Sequence, residues 1–347
     1  MLSENEVVDG GDSLEWSGDV GQAAWIADLL SPFGSGVVTS VVPAGFEAYA
    51  RLLHPVEDPG RAGRLVRWAE VAAWSEVPLV AGGQFHEIAL PEHEPVAPAP
   101  WRGQGPPAGT LSADDAAVLI EVLAGHTTTP ERCWFCLWDG YGWDHAVYLT
   151  AVDDPEADVE RPPDPVPAEA RANPRVRLPG RDYLLYAGPI AAALAFADSQ
   201  HQTPNLWWPS DRAWCVASEI DLPWTYVGGS ADLVDRLVAG ALIEAQRASP
   251  GESHHQRAGG WLGQAIEKAV AELMDSGNTI VETSRGTVRA DLQRPSRWQR
   301  GCLHASHDGR NGVTGASTWM LDDRDADRLR NEVSHYLTAA VIGLVDG

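Results

Sequence analysis

The sequence predicts an α+β fold: a mainly antiparallel sheet with flanking helices, plus a smaller C-terminal α+β module. Three observations carry this prediction. "NLWWPSDRAWCVASEID" (205–221) reads as a β-hairpin turning at Pro209, Ser210 and Asp211. Apolar residues recur at helical spacing in 112–125 and 261–277. The charge balance also changes near residue 247.

Taken in order, "GQAAWIADLL" (21–30) is expected to be helical, and "GVVTSVV" (36–42) and "EAYARLLH" (47–54) to be strands. "SADDAAVLIEVLAG" carries a capping box of Ser112 with Asp115. Val118, Leu119, Val122 and Leu123 then form an apolar stripe, and Gly125 is placed to end the helix. "RDYLLYAGP" predicts a strand turning into a helix at Gly188-Pro189. "WTYVGGSADLVDRLV" predicts a short strand, a Gly-Gly turn and a helix capped by Ser230. In "WLGQAIEKAVAELMDSG", Leu262, Ile266, Val270 and Leu273 share one helical face and Gly277 follows. Strands are expected at "TIVETS", "GTVRADL" and "STWML", then a helix from about Asp322 to Ile342.

The expected domains are a flexible acidic N-terminus (1–18), an acidic Trp-rich α+β domain (19–246), a linker (247–260) and a small α+β module (261–347). The Pro-rich stretches 90–110 and 153–180 read as loops inside the larger domain. The formal charge is −24 over 347 residues. Residues 246–347 hold 12 Lys+Arg against 13 Asp+Glu, so the first 245 residues carry −23. Such a surface repels nucleic acid and anionic membrane and attracts basic partners. The N-terminal residues have no basic start followed by an apolar run, and no run reaches membrane-spanning length. A cytoplasmic location is the expectation.

"ERCWFCLWDGYGWDH" (131–145) raises the question of thiol chemistry. Six apolar residues ending at a "DGYG" turn favour a buried strand. In a strand Cys133 and Cys136 point to opposite faces, with Cα atoms roughly 10 Å apart, too far for a disulfide. A low-pKa thiol at a helix N-terminus is not offered, and no second Cys pair or paired His lies at zinc-finger spacing. No cofactor and no metal are expected. "HEIALPEHE" lacks the His-Glu-x-x-His spacing, and Cys302, His304, His307 and Asp308 in "CLHASHD" have no matching second cluster.

"SVVPAGFEAYARLLHP", "TPERCWFCLWDGYG", "LPGRDYLLYAGP" and "PNLWWPSDRAWCVASEIDLPWTYVGGS" resemble segments of a family of actinobacterial proteins. The resemblance covers roughly residues 20–245 and implies no catalytic residues. More distantly, strands ending in a Trp-rich acidic hairpin are similar to small α+β immunity domains that neutralise toxins, a likeness of fold alone.

Trp207, Trp208, Trp214, Trp224 and Tyr226 are candidates for a binding surface, with Asp211 and Arg212 at the turn and Glu219 and Asp221 beyond it. The competing reading is an aromatic core closed by a solvated turn. Arg285, Arg289, Arg294, Arg297 and Arg300 form a candidate anion-binding stretch around Asp291 and Trp298, where nucleic acid would bind if it binds at all. The expectation is therefore a non-catalytic protein-binding module with a protein partner, basic in charge. The alternative is an enzyme or small-molecule binder whose Trp-lined pocket uses Asp139, Asp144, Glu219 or Asp221.

Overall fold

A computed structural model describes residues 14–89, 101, 103–141, 172–200, 202–253, 260–283, 286–296, 301–309, 314–321 and 326–346. Its early elements are β1 (Glu15–Trp16), α1 (Ala24–Ala27), β2 (Ala48–Leu53), β3 (Val56–Glu57), β4 (Leu65–Val66), α2 (Trp68–Ser75) and α3 (Phe85–Ala89). Then come α4 (Ala113–Ala124), β5 (Cys133–Trp138), β6 (Val176–Leu178), β7 (Arg181–Gly188) and α5 (Ala193–Gln200). The hairpin strands β8 (Leu206–Pro209) and β9 (Cys215–Ala217) precede β10 (Trp224–Gly229), α6 (Ala231–Ala239) and β11 (Ala245–Ala248). The last group is α7 (Gly260–Ser276), β12 (Asn278–Thr283), β13 (Gly286–Gln293), β14 (Gly301–Gly309), β15 (Thr314–Leu321) and α8 (Ala326–Asp346). Helices and antiparallel sheets together make this an α+β protein.

Two compact units emerge: Met1–His54 with Ala108–Glu252, and Pro55–Pro107 with Ser253–Gly347. Residues 55–107, counted with the larger domain in the sequence reading, thus group with the C-terminal residues. They supply the β3–β4 hairpin and the helices α2 and α3, where Trp68, Phe85 and Trp101 meet edge-to-face.

The first unit is built on an antiparallel sheet in the order β1-β7-β5-β8-β9-β10-β2-β11, with β6 against β7. Side chains alternate across it. Phe135, Tyr186, Trp207, Val216 and Val227 face α4, α5 and α6, packing with Leu119, Leu123, Phe196, Leu233 and Leu237. Residues 20–46 cover the other face: Trp25 meets Trp208 edge-on at 6.2 Å, and the Tyr49 hydroxyl donates to the Pro43 carbonyl. Ile26, Val38 and Val42 in this cover are fully buried. This explains one departure from expectation. "GVVTSVV" forms a 3-10 turn (Val38–Ser40) rather than a strand, its Val38 and Thr39 amides bonding the Glu252 and Pro250 carbonyls.

Local signals elsewhere hold. Ser112 caps α4 by accepting from the Asp115 amide, and Ser230 caps α6 from the Leu233 amide. β5 is the buried strand expected of "CWFCLW", and all four cysteines are free thiols. Burial pushes the Cys133 thiol up to about 12 and Cys136 higher still, opposite to what a reactive thiolate needs.

The second unit's main sheet runs β12-β13-β14-β15, each pair antiparallel. One face packs on α7 and α8 through Val288, Leu303, Leu273, Val333 and Leu337. β14, "GCLHASHDG", is a strand that the sequence analysis does not predict, its Cys302, His304, His307 and Asp308 reading there as polar residues without a matching ligand cluster. Leu303 and Ala305 point inward and are buried, whereas His304 and Asp308 are exposed on the open face. Among the described residues no group of three His, Cys, Asp or Glu side chains is arranged to hold a metal, and no helix is long and apolar enough to cross a membrane.

Replacing Ser112 with Ala removes one capping bond. Urea unfolding should then show a loss of about 1 kcal/mol with an unchanged denaturant dependence.

Candidate functional site

Polar chemistry in the first unit gathers where β6 turns into β7. Leu178 pairs with Arg181, so Pro179 and Gly180 form a two-residue loop. Gly180 has φ +74, which favours glycine, and a Cβ there would strike the Phe33 ring at 2.5 Å. The missing side chain lets Phe33 of the cover lie against the turn and fixes where Arg181 emerges.

The Arg181 guanidinium sits 4.8 Å from the Phe33 ring centre and 5.2 Å from that of Trp138. It donates to Glu219 at 2.6 Å and reaches Asp221 at 3.5 Å. These carboxylates stand on the tight turn after β9, closed by the Leu222 amide bonding the Glu219 carbonyl, rather than along a strand. Glu219 is mostly buried, with 18% of its side chain exposed, and Asp221 is open, with 77% exposed. Burial is the largest influence on Glu219 and, with the Asp221 carboxylate beside it, keeps its pKa raised although Arg181 lowers it, so the pair is held against a desolvation cost. Burial is the largest single influence on Arg181 and opposes its charge, but Glu219, Tyr183 and Asp221 together raise the Arg181 pKa. The group is a charge-compensated cluster sandwiched by aromatics.

Around it, Leu30, Phe33, Val41, Tyr183, Asn205 and Ser218 help line a recess of about 20 Å³, room for one ordered water. Asn205 is engaged at both ends of its amide: its Oδ1 accepts from the Trp138 amide and its Nδ2 donates to the Ser218 carbonyl. The Ser218 hydroxyl continues inward to Thr225 at 2.6 Å, and Thr225 to His54 at 2.9 Å, all three buried. Such a chain satisfies hydroxyls that burial would otherwise leave unpaired.

The structure separates the expected binding residues. Trp207, Trp208, Trp214 and Tyr226 are at most 1% exposed. They are core, because both faces of their sheet are covered. Trp214 donates to the Leu123 carbonyl and Trp207 packs edge-on against it at 5.3 Å. Trp224 lies under Arg51, whose guanidinium carbon is 3.7 Å from the ring centre. Asp211 and Arg212 stay exposed at the hairpin tip. Asp211 accepts from the Thr127 and Thr128 hydroxyls and the Thr128 and Ala213 amides, tying residues 127–129 to the hairpin. Burial raises its pKa as the largest single influence, yet these donors together hold it below the usual carboxylate value. Arg212 occupies a left-handed position, φ +57, with its guanidinium near the Trp25 ring.

Of the acids in the alternative reading, Asp139 pairs with Arg175 at 2.9 Å, and Asp144 lies outside the described residues. Arg285, Arg297 and Arg300 also lie outside them, as does Trp298. Arg289 and Arg294 are exposed; Arg289 stands on the open sheet face opposite Ser306. The sequence reading missed Arg181. The signal that could have found it is an arginine directly after a Pro-Gly turn and before an apolar strand.

No family model, curated protein or solved structure matches the chain in the three comparisons made.

Two outcomes follow from this geometry. Changing Arg181 to Met strands a buried carboxylate and should cost about 3 kcal/mol in urea unfolding at neutral pH, with Glu219→Gln in the same chain restoring most of it. For Asp211, the folded pKa is depressed. Its contribution is therefore present above the unfolded value of about 4 and is lost as pH falls through the folded value. Asp211→Asn should flatten the acid limb of a stability-versus-pH curve relative to wild type.

Proposed function

We propose that this is a non-catalytic binding protein whose first unit engages a basic macromolecular partner by charge, in the manner of an immunity or regulatory protein acting inside the cell. The observation that carries the reading is the distribution of charge. Residues 1–54 and 108–252 hold 30 acidic and 10 basic residues, a net −20, whereas the other unit holds 19 and 15, a net −4.

The disposition of the acids supports it too. The acid that lines the recess, Glu219, is already committed, sharing Arg181 with Asp221, and Asp139 at the end of β5 pairs with Arg175. The recess itself has room for a water rather than a metabolite. Many other acids are exposed, among them Asp114 and Glu121 on α4 and Asp232 on α6. With Trp207, Trp208, Trp214 and Trp224 inside, the surface that would bind is acidic rather than aromatic. Charge of this kind speeds encounter and rejects like-charged competitors more than it adds affinity.

The test is capture of partners from native lysate by the full chain, at about 50 mM and about 300 mM salt, where screening differs strongly. Wild type is compared with an Asp114→Asn/Glu121→Gln/Asp232→Asn variant that melts normally. A discrete basic protein, held at low salt and lost both at high salt and from the variant, is the expected result. Capture of nothing at either salt, or capture indifferent to the three substitutions, would overturn the reading.

A further inference from the structure

We infer that β15 is a homodimerisation edge: two copies of this chain pair their β15 strands antiparallel, joining two four-stranded sheets into one of eight strands. The inference starts from how the sheet edges differ. In the first unit the terminal strands β1 and β11 have two and four residues, and β11 carries Arg247. In the second unit β12 carries the exposed Glu282 and is packed by α7, which leads directly into it. β15 has eight residues, Thr314–Leu321, and among the described strands its whole length pairs with β14 on one side only. It has no charged residue and no proline. An open edge presents a row of peptide donors and acceptors, and proteins blunt such edges with short strands, charges, proline or bulges. Among the described strands, β15 is the long edge with none of these.

Exposure matches. Ala316, Thr318 and Met320 face away from the helices and are exposed, with Met320 at 58%. Ser317 points to the helix side and is exposed as well, so the helices stop short of this margin. Further in, Trp319 stacks on Tyr336 of α8 at 5.3 Å, which anchors the strand from behind. Thr318 is steadied from the open side by His304 at 2.7 Å. The edge is therefore held extended and in place before any partner arrives, which lowers the ordering cost of pairing.

The sequence of the strand selects a second copy as the occupant. Antiparallel pairing about a two-fold axis at Thr318 sets Met320 opposite Ala316, Trp319 opposite Ser317 and Leu321 opposite Gly315. Each large side chain then meets a small one on the same face. Pairing over these seven residues makes about six to eight interchain peptide hydrogen bonds. A basic partner finds no counter-charge on this strand, so the edge does not serve the interaction proposed for the first unit. The second unit, at −4, also adds little local repulsion.

Sedimentation equilibrium of the full chain provides the test. A reversible monomer–dimer equilibrium is expected in the micromolar range, and it should tighten with added salt, because each copy carries −24 and screening relieves their repulsion. That salt response is opposite in sign to the one expected for a basic partner, so the two proposals fail separately. Ala316→Lys with Ser317→Lys, at exposed positions, should weaken dimerisation at least about tenfold. A Thr318→Cys/Cys302→Ser chain should cross-link to a dimer on mild oxidation, whereas Ser276→Cys/Cys302→Ser, on exposed α7, should not. This second readout holds even if the lysine variant fails to fold. A wild type that stays monomeric at about 100 μM, a dimer indifferent to the lysines in a folded variant, or equal cross-linking from both positions would each overturn the inference.

Discussion

The constraint on which the first unit depends is that its sheet is buried on both faces. A sheet with one wet face can spend its alternate positions on polar residues, but here both sets must be apolar or internally paired. The helices α4, α5 and α6 supply one cover and residues 20–46 the other. This accounts for runs such as "CWFCLW" and "LWWP", where alternation of hydrophobic with polar never appears. It also accounts for the tryptophans. Two indole layers with Phe135 and Tyr49 fill the wide space between sheet and covers, and edge-on contacts suit ring quadrupoles.

Two-sided burial also decides where charge can go. Among the described residues, ionisable groups that enter the interior with partners include Arg181 with Glu219 between two rings and Arg51 over Trp224. Such groups cost desolvation and return specificity of placement, fixing how the β6–β7 turn, the cover and the loop after β9 meet. The acids left over have only the surface to occupy. The high negative charge and the aromatic interior are thus two consequences of one partition of residues, and an acidic tryptophan-rich sequence does not by itself announce an acidic aromatic surface.

Much of the architecture was legible in the sequence, because it rests on local signals. Ser112 and Ser230 before apolar stripes marked helix starts, and the "PSD" turn marked the β8–β9 hairpin. What was not legible depends on contacts distant along the chain. "GVVTSVV" has a strand's composition, yet its valines serve as a lid over a sheet most of whose strands, from β5 (Cys133–Trp138) to β11 (Ala245–Ala248), lie far along the chain. "GCLHASHDG" has the composition of a loop or ligand set, yet becomes an inner strand because Leu303 and Ala305 alternate onto α7 and α8. The exposure of the tryptophans was invisible for a similar reason. Alternation tells which residues share a face, but not whether that face is covered. The Arg181 cluster joins residues 33, 138, 181 and 219, which no window could have placed together.

The interleaved order of the two units bears on how the chain matures. β2 is made early, but its neighbours β10 and β11 lie at Trp224–Gly229 and Ala245–Ala248. At a ribosomal pace of about 5–20 residues per second, β2 waits on the order of 10 s or longer for either. Throughout that interval Tyr49, Leu52 and Leu53 have no sheet to enter, and α2 and α3 await residues beyond 253. Such long-range closure slows folding and leaves apolar strand exposed during synthesis. The high density of negative charge along the first 245 residues then acts before any fold exists, keeping nascent chains apart until their last strands arrive.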